Sequence, residues 1–263
     1  MKNSSIKVTV LGSGTSQGVP VIACSCSVCG SNDPKDKRLR CSVLIEAGVY
    51  NYVVDTGPDF RQQMLRAHVQ HLDAVLFTHE HKDHVAGLDD VRAFNFSQKQ
   101  DMPIYCTARV EEALRREFHY AFSSDKYPGV PALQLERIRA QEAFVLPGEV
   151  SVIPVEVMHY KMPVLGFRIG DFSYITDAKT ITDSELEKLK GTKVLIVNAL
   201  RKEEHLSHFN LVEALDFIAA VGPEKAYLTH ISHLFGTQSD IEDLLPDGVF
   251  VAYDGLKIEI PLV

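Results

Sequence analysis

Apolar residues along this chain recur at two periods, every second position in some segments and every third or fourth in others, and the switches between them predict the elements. "IKVTVLGS" reads as a strand with Ile6, Val8 and Val10 on one face. "GSGTSQGVP" reads as a tight, exposed turn; it lacks the Gly-Lys-Ser/Thr of a phosphate loop, and Gln17 stands where a dinucleotide fingerprint needs its third glycine. A polar, cysteine-containing loop, residues 23–40, follows. "SVLIEAGVYNYVVDTG" predicts two strands turning at Gly48, and "PDFRQQMLRAHV" a helix with Phe60, Met64 and Leu65 on one side. "LDAVLFT" is a short buried strand that delivers "HEHKDH" into the next loop, before "LDDVRAFN" restarts a helix. "MPIYCT" then predicts a strand and "ARVEEALRREFHYAF" an amphipathic helix.

Residues 119–148 show no clear period and hold Pro128, Gly129, Pro131 and Pro147, so they read as an insertion or lid. Beyond them, "SVIPVEVMHY" is a strand ending near His159, and "VLGFRIGDFSYITDA" a hairpin through Gly170 and Asp171 that runs into Asp177. "TDSELEKLKG" is a helix capped by Thr182 or Asp183. "KVLIVNAL" and "KAYLTHISH" are strands, "NLVEALDFIAAVGP" and "SDIEDLLPDG" helices, and "VFVAYDGLKIEI" a final hairpin. The strands fall into two groups, each followed by helices, with no repeat or linker between them. That pattern predicts one domain over residues 1–263, with two sheets face to face and helices outside.

Composition narrows the class. The net charge is −8, from 27 Lys and Arg against 35 Asp and Glu, which excludes non-specific nucleic-acid binding while leaving room for an anionic substrate at a bound cation. The N-terminal apolar run is broken by Lys7, and no run approaches the roughly 18 apolar residues of a membrane span. Five cysteines, three of them within six residues, do not make a secreted disulfide framework. A cytoplasmic location without membrane association is expected. The oligomeric state stays open, a homodimer included.

The candidate chemistry is concentrated at strand ends. His79, His81, Asp83, His84, His159, Asp177 and His230 each lie at or just after the C-terminal end of an apolar strand. Three imidazoles and a carboxylate within six residues risk unpaired polar groups and mutual repulsion, costs that a cation offsets. In an extended loop residues two apart point the same way, so His79 and His81 can grip one ion while Asp83 and His84 face a second. The donor mix suits zinc, manganese or iron, and Asp177 between two ions would set the spacing of about 3.5–4 Å found in two-metal hydrolases. A second cluster, "CSCSVCG", places Cys24, Cys26 and Cys29 to wrap a tetrahedral zinc with His233 of "THISHLFG" as fourth ligand; a redox pair or inert thiols are the alternatives. Cys41 and Cys106 have no partner pattern.

Several residues admit two readings. Asp55 either hydrogen-bonds a ligand histidine or ends its strand. His205 reads as solvated, and His68, His71 and His119 as ordinary surface or core residues. Tyr160 reads as packing, Lys161 and Arg168 as solvent-facing, and "DPKDKRLR" as a surface loop supporting the zinc.

"THEHKDHVAG" resembles the signature of the metallo-β-lactamase superfamily, in the dinuclear phosphodiesterase branch that carries an aspartate between the second and third histidines. "GSGTSQGVP", "CSCSVC" and the downstream H-x-x-H are similar to those of the phosphoribosyl cyclic phosphodiesterases of the carbon–phosphorus lyase pathway. The resemblance implies an α+β fold, a four-layer αββα sandwich. It implies that His79, His81 and His159 hold one metal, Asp83, His84 and His230 a second, and that Asp177 bridges. It assigns Cys24, Cys26, Cys29 and His233 to one structural Zn2+, with residues 23–40 as its loop insertion, and His208 to the role of general acid. The alternative for His208 is that it merely lies near a helix capped by Ser207. The implied reaction is hydrolysis of a small cyclic phosphodiester such as phosphoribosyl 1,2-cyclic phosphate, by a hydroxide between two Mn2+ or Zn2+ ions, with Asp83 orienting it. The rival functions are a tRNA 3′-end endonuclease, a thioester or lactone hydrolase, and an inactive metal-binding module.

Overall fold

Period-two burial builds two sheets. In the computed structural model, which describes residues 5–261, the first sheet contains β1 (Ser5–Gly12), β2 (Ser42–Ala47), β3 (Tyr50–Val54), β4 (Ala74–Leu76), β5 (Met102–Cys106) and β6 (Leu133–Arg137). The second contains β7 (Phe144–Leu146), β8 (Val150–His159), β9 (Met162–Ile169), β10 (Phe172–Ile175), β11 (Thr180–Ile181), β12 (Val194–Asn198), β13 (Lys225–Thr229) and β14 (Val249–Val251). β15 (Lys257–Pro261) returns to the first sheet and pairs antiparallel with β1, giving the order β15-β1-β2-β3-β4-β5-β6. The second sheet runs β11-β8-β9-β10-β12-β13-β14, with β7 antiparallel to β8. Both are mixed: antiparallel from β15 to β3 and from β11 to β10, parallel from β3 to β6 and from β10 to β14.

Alternate residues of one strand enter different cores. On β3, Tyr52 and Val54 face the core between the sheets while Val53 faces outward-lying helices; on β12, Ile196 faces inward and Leu195 and Val197 outward. The helices are α1 (Ser27–Gly30), α2 (Phe60–Ala67), α3 (Lys82–Val85), α4 (Arg92–Gln98), α5 (Ala108–Glu117), α6 (His119–Phe122), α7 (Asp183–Glu187), α8 (Leu211–Val221) and α9 (Gln238–Glu242). α2, α4 and α5 cover the first sheet through Phe60, Met64, Phe94, Val110 and Leu114. α8 and α9 cover the second through Ala214, Phe217, Ile218 and Ile241. The result is the expected four-layer αββα sandwich. No helix among the described residues is long and apolar enough to cross a membrane.

Five expectations need correction. The stretch 12–19 is mostly buried, not an exposed turn: Gly14 bridges both Arg40 and Ile231, joining the two halves. A Cβ on Gly12 would lie 1.9 Å from the Arg40 carbonyl oxygen, so only glycine fits there. "VFVAYDGLKIEI" is no hairpin, because β14 ends in one sheet and β15 lies in the other. Residues 119–148 are mostly framework rather than a lid, since β6 extends the first sheet and β7 the second. Leu65 is 59% exposed, and Gln63 takes its place inside by donating from Nε2 to the Arg40 carbonyl at 2.8 Å. In the charge run, Asp36 and Arg38 are buried; Arg38 donates to Ser13 Oγ, Ala252 O and Gln238 Oε1, so it is an internal tie rather than a solvated face.

Candidate metal centre

The motif loop begins where β4 ends. Residues 79 and 81 turn inward, while the intervening Glu80 and Lys82 turn out to α5, pairing with Arg109 (Nε–Oε1 2.5 Å) and Glu117. The alternation of histidine with charge therefore separates a metal face from a face that anchors the loop. His79 is fully buried and His81 exposed; their ring centroids lie 4.7 Å apart, and those of His81 and His159 5.2 Å apart. α3 then turns Asp83 and His84 toward the same centre. Close approach of this turn to the β3 end requires Gly57, where a Cβ would meet the Asp83 carbonyl oxygen at 2.2 Å.

The second sheet supplies the opposite wall from three strand ends. His159 closes β8 and is oriented by Nδ1 against the Ser207 carbonyl at 2.9 Å. Asp177 follows β10 and His230 follows β13, both in the left-handed region with φ of 57° and 59°. Such backbone costs about 1–3 kcal/mol per residue in non-glycine positions and persists where a site demands it. Asp177 Oδ2 lies 3.3 Å from His84 Nε2 and 3.4 Å from His230 Nδ1. Asp83 Oδ2 lies 3.1 Å from His84 Nε2. His208 lies between His159 and His230 at centroid distances of 4.5 and 4.8 Å, tilted against the first and stacked on the second, with Nδ1 3.6 Å from Asp177 Oδ1. All seven strand-end candidates and His208 thus converge.

Asp55 is fully buried and does more than end its strand. Its Oδ2 is 2.7 Å from His84 Nδ1 and accepts from Thr78 Oγ1 at 2.8 Å, while Oδ1 accepts from Thr78 N at 2.9 Å. Thr78 Oγ1 also lies 3.0 Å from His79 Nδ1. One carboxylate and one hydroxyl thereby orient two imidazoles so that each turns Nε2 inward. Thr78 escaped the sequence reading although it opens the motif itself.

The electrostatics fit a cation. His79 Nε2, His84 Nε2 and His208 Nδ1 are buried without a hydrogen-bond partner, a costly state that an ion resolves. Burial holds His79 and His230 below the ordinary histidine range and brings His208 down to about 3, leaving each imidazole neutral and able to ligate. Burial also opposes charge on His84, but Asp83, Asp177 and Asp55 outweigh it and hold that imidazole well above its ordinary value. Against burial, His230 and His84 hold the Asp177 carboxyl well below the usual range. His79, His84 and Asp177 bring their donor atoms within 4.8 Å of one another, and so do His159, Asp177 and His208. The second grouping places His208 within ligating reach as well as proton-transfer reach. The mixed nitrogen and oxygen donors suit zinc or manganese.

The cysteine cluster assembles as the spacing predicts. Cys24, Cys26, Cys29 and His233 bring their donor atoms within 4.8 Å, with His233 Nδ1 3.3 Å from Cys24 Sγ and 3.5 Å from Cys26 Sγ. The Cys29 backbone N–H donates to Cys26 Sγ at 3.4 Å and, with His233, lowers that thiol to about 6. Three thiols and one imidazole are a zinc donor set. His230 and His233 sit on one loop, which ties the two centres together.

The remaining candidates separate. Ser207 does not cap α8; Asn210 does, in a capping box with Glu213. Arg168 is held by the carbonyls of Gly170, Lys188 and Lys190, away from the donors. Tyr160 is exposed rather than packed, and with Lys161 it lines a cavity of about 430 Å³ beside His81 and His159. Arg109, Met162, Leu206 and Ser207 complete that wall. Arg109 had no motif to announce it.

Known proteins place this arrangement. A family model described as a β-lactamase superfamily domain matches residues 50–231. An octanoyltransferase of Porphyromonas gingivalis is 40% identical over 255 residues, 96% of this chain but 51% of that protein, so the chain spans about half the length of that relative. A ribonuclease Z of Mycobacterium bovis is 30% identical over 195 residues, 66% of this chain and 69% of its own. The crystal structure of a diphosphatase from the PhnP family superposes with a TM-score of 0.91 at 38% identity and covers 98% of both chains. With sequence, topology and donor cluster in agreement, the chain belongs to the metallo-β-lactamase superfamily, as a PhnP-like protein of hydrolase-type fold.

Proposed function

We propose that the chain is a metal-dependent phosphodiesterase acting on a small anionic phosphodiester, with phosphoribosyl 1,2-cyclic phosphate as the model substrate. The observation that carries this reading is the position of His208. It lies outside the H-x-H-x-D-H motif, yet it is buried against Asp177 and between two candidate ligand rings.

In this reading His79, His81 and His159 would hold one ion and Asp83, His84 and His230 a second, with Asp177 shared between the two sets. When bound, the ions supply positive charge for the phosphoryl oxygens and make water a stronger acid near neutral pH. The protein does the rest. Asp83 orients the attacking oxygen and accepts its proton. Nδ1 of His208 faces Asp177, so Nε2 is the nitrogen that protonates the departing alkoxide; the anionic substrate beside the ring restores the proton that burial removes. Arg109 and Lys161 give the cavity a positive side for an anionic substrate, and Met162 and Leu206 an apolar one. Ser207 keeps His159 in the ligating tautomer through its carbonyl oxygen.

A diphosphate linkage is the second reading, supported by the diphosphatase likeness over 98% of the chain. Both readings place the attack at phosphorus. Metal-loaded protein is to be offered a phosphoribosyl cyclic phosphate, a diphosphate-linked nucleotide, a tRNA precursor and a lactone. Turnover of the first, with His208→Ala losing about 10²–10⁴-fold in kcat at unchanged metal content, is the expected result. Loss of metal from His208→Ala would make that residue a ligand instead; turnover of only the tRNA would refute the small-substrate reading, and turnover of only the lactone would refute the phosphodiesterase reading.

A further inference from the structure

Beneath the donor cluster lies a buried thiol that the proposed reaction does not use. Cys41 is 2% exposed and sits at the entry to β2, on the first sheet. Its Sγ is 3.1 Å from Tyr174 Oη, 3.4 Å from Thr229 Oγ1 and 3.7 Å from Thr176 Oγ1, all three on the second sheet or at its strand ends. Tyr174 is fully buried, and among the described residues Cys41 is the one partner its hydroxyl has. Cys106, the other core cysteine, has no such polar company.

Each of the three hydroxyls leads to a ligand. Thr176 donates to Asp177 Oδ2 at 2.7 Å and stands 3.5 Å from His230 Nδ1. Thr229 directly precedes His230, and Tyr174 is in β10, which ends at Ile175, one residue before Thr176. The hydrogens can be counted. Thr176 has one O–H, which it gives mainly to Asp177 Oδ2 at 2.7 Å and more distantly to Cys41 Sγ at 3.7 Å, so the sulfur is the acceptor of that longer contact. Tyr174, a phenol kept neutral by burial, donates to the sulfur. The next residue, Ser42, donates to the carbonyl oxygens of Val54 and Asp55, both at 2.9 Å, and so steadies the carboxylate that orients His84.

We propose that Cys41 is a positioning residue for the metal centre: its thiol pins the ends of β10 and β13 so that Asp177 and His230 meet the ions in register. Both residues hold left-handed backbone, which needs such a tie to persist. The inference rests on Asp177 and His230 being ligands.

Two substitutions separate positioning from packing. Cys41→Val fills the volume and removes every hydrogen bond; Cys41→Ser keeps a donor and acceptor and loses bulk. Cobalt(II) uptake by the purified full chain, followed by its visible spectrum and by elemental analysis, reads the site without a substrate. Positioning predicts that Cys41→Val weakens uptake at the histidine–aspartate centre by about 10–100-fold and alters the cobalt bands, while Cys41→Ser stays within about threefold of wild type. The cobalt bands of the cysteine site are unchanged in both. A Val variant that binds like wild type, or a Ser variant as weak as Val, overturns the inference. Wild-type protein that takes up cobalt only at the cysteines overturns the metal reading and this inference with it.

Discussion

Asp55→Asn replaces one oxygen by an amide nitrogen without changing volume, so its effect is confined to hydrogen-bond polarity. Thr78 N–H donates to Oδ1, which obliges the asparagine to keep its oxygen there. Its NH2 then occupies the Oδ2 position, 2.7 Å from His84 Nδ1 and 2.8 Å from Thr78 Oγ1. His84 can satisfy that donor only by moving its proton to Nε2, and a protonated Nε2 cannot ligate. Turning the amide over restores the histidine but sets NH2 against the Thr78 N–H. Either arrangement opposes two buried donors, at about 1–3 kcal/mol, or roughly 5–150-fold in a metal dissociation constant. A second consequence is thermal: the same energy lowers the melting temperature of the ion-free protein by about 2–10 °C for a domain of this size. Competitive titration with a chromophoric chelator measures the first and calorimetry the second. An Asn variant with wild-type affinity for the histidine–aspartate ions would refute the argument that Asp55 sets the His84 tautomer.

Two further outcomes follow from the same geometry. Burial holds His79, His208 and His230 below the ordinary histidine value of about 6.5, so the unfolded chain takes protons that the folded one refuses as pH falls through 6.5. Chelator-treated protein should therefore lose stability from pH 7 to pH 5, each imidazole adding up to about 1.4 kcal/mol per pH unit, whereas the raised His84 contribution is full below pH 6.5 and declines only on the alkaline side; a flat calorimetric profile over that window contradicts this. Cys26→Ser removes one of four zinc donors; a 100-fold weaker site costs about 2.7 kcal/mol and lowers the melting temperature by about 5–10 °C, with one zinc fewer per chain by elemental analysis. An unchanged melting curve and zinc count would rule that site out.

The sandwich was legible because most strands are either alternating or uniformly apolar, and because capping signals such as Thr182 mark helix starts, although the Asn210–Glu213 box was passed over in favour of Ser207. The converging cluster of candidate ligands was legible because histidine and aspartate at successive strand ends have few structural uses. What escaped is non-local. Nothing between Val249 and Ile260 says that β14 and β15 belong to different sheets, since Tyr253 to Leu256 reads as a turn in either case. The glycines at 12 and 14 look like a surface loop until Arg38 and Arg40 close over them. Residues 133–137 and 144–146 alternate too weakly to stand out as strands, and their pairing with β5 and β8 decides them. Arg109, Tyr174 and Cys41 bear no motif, and Thr78, which opens one, carries no ligand chemistry of its own; only their neighbours across the fold give them meaning.

The central claim is that the histidines and aspartates of the two sheets enclose paired ions. Anomalous X-ray diffraction from crystals of the metal-loaded protein tests it most directly. The account predicts two adjacent peaks among His79, His81, Asp83, His84, His159, Asp177 and His230, and a third at Cys24, Cys26, Cys29 and His233. Diffraction that shows those side chains converged but no peak between them would contradict it.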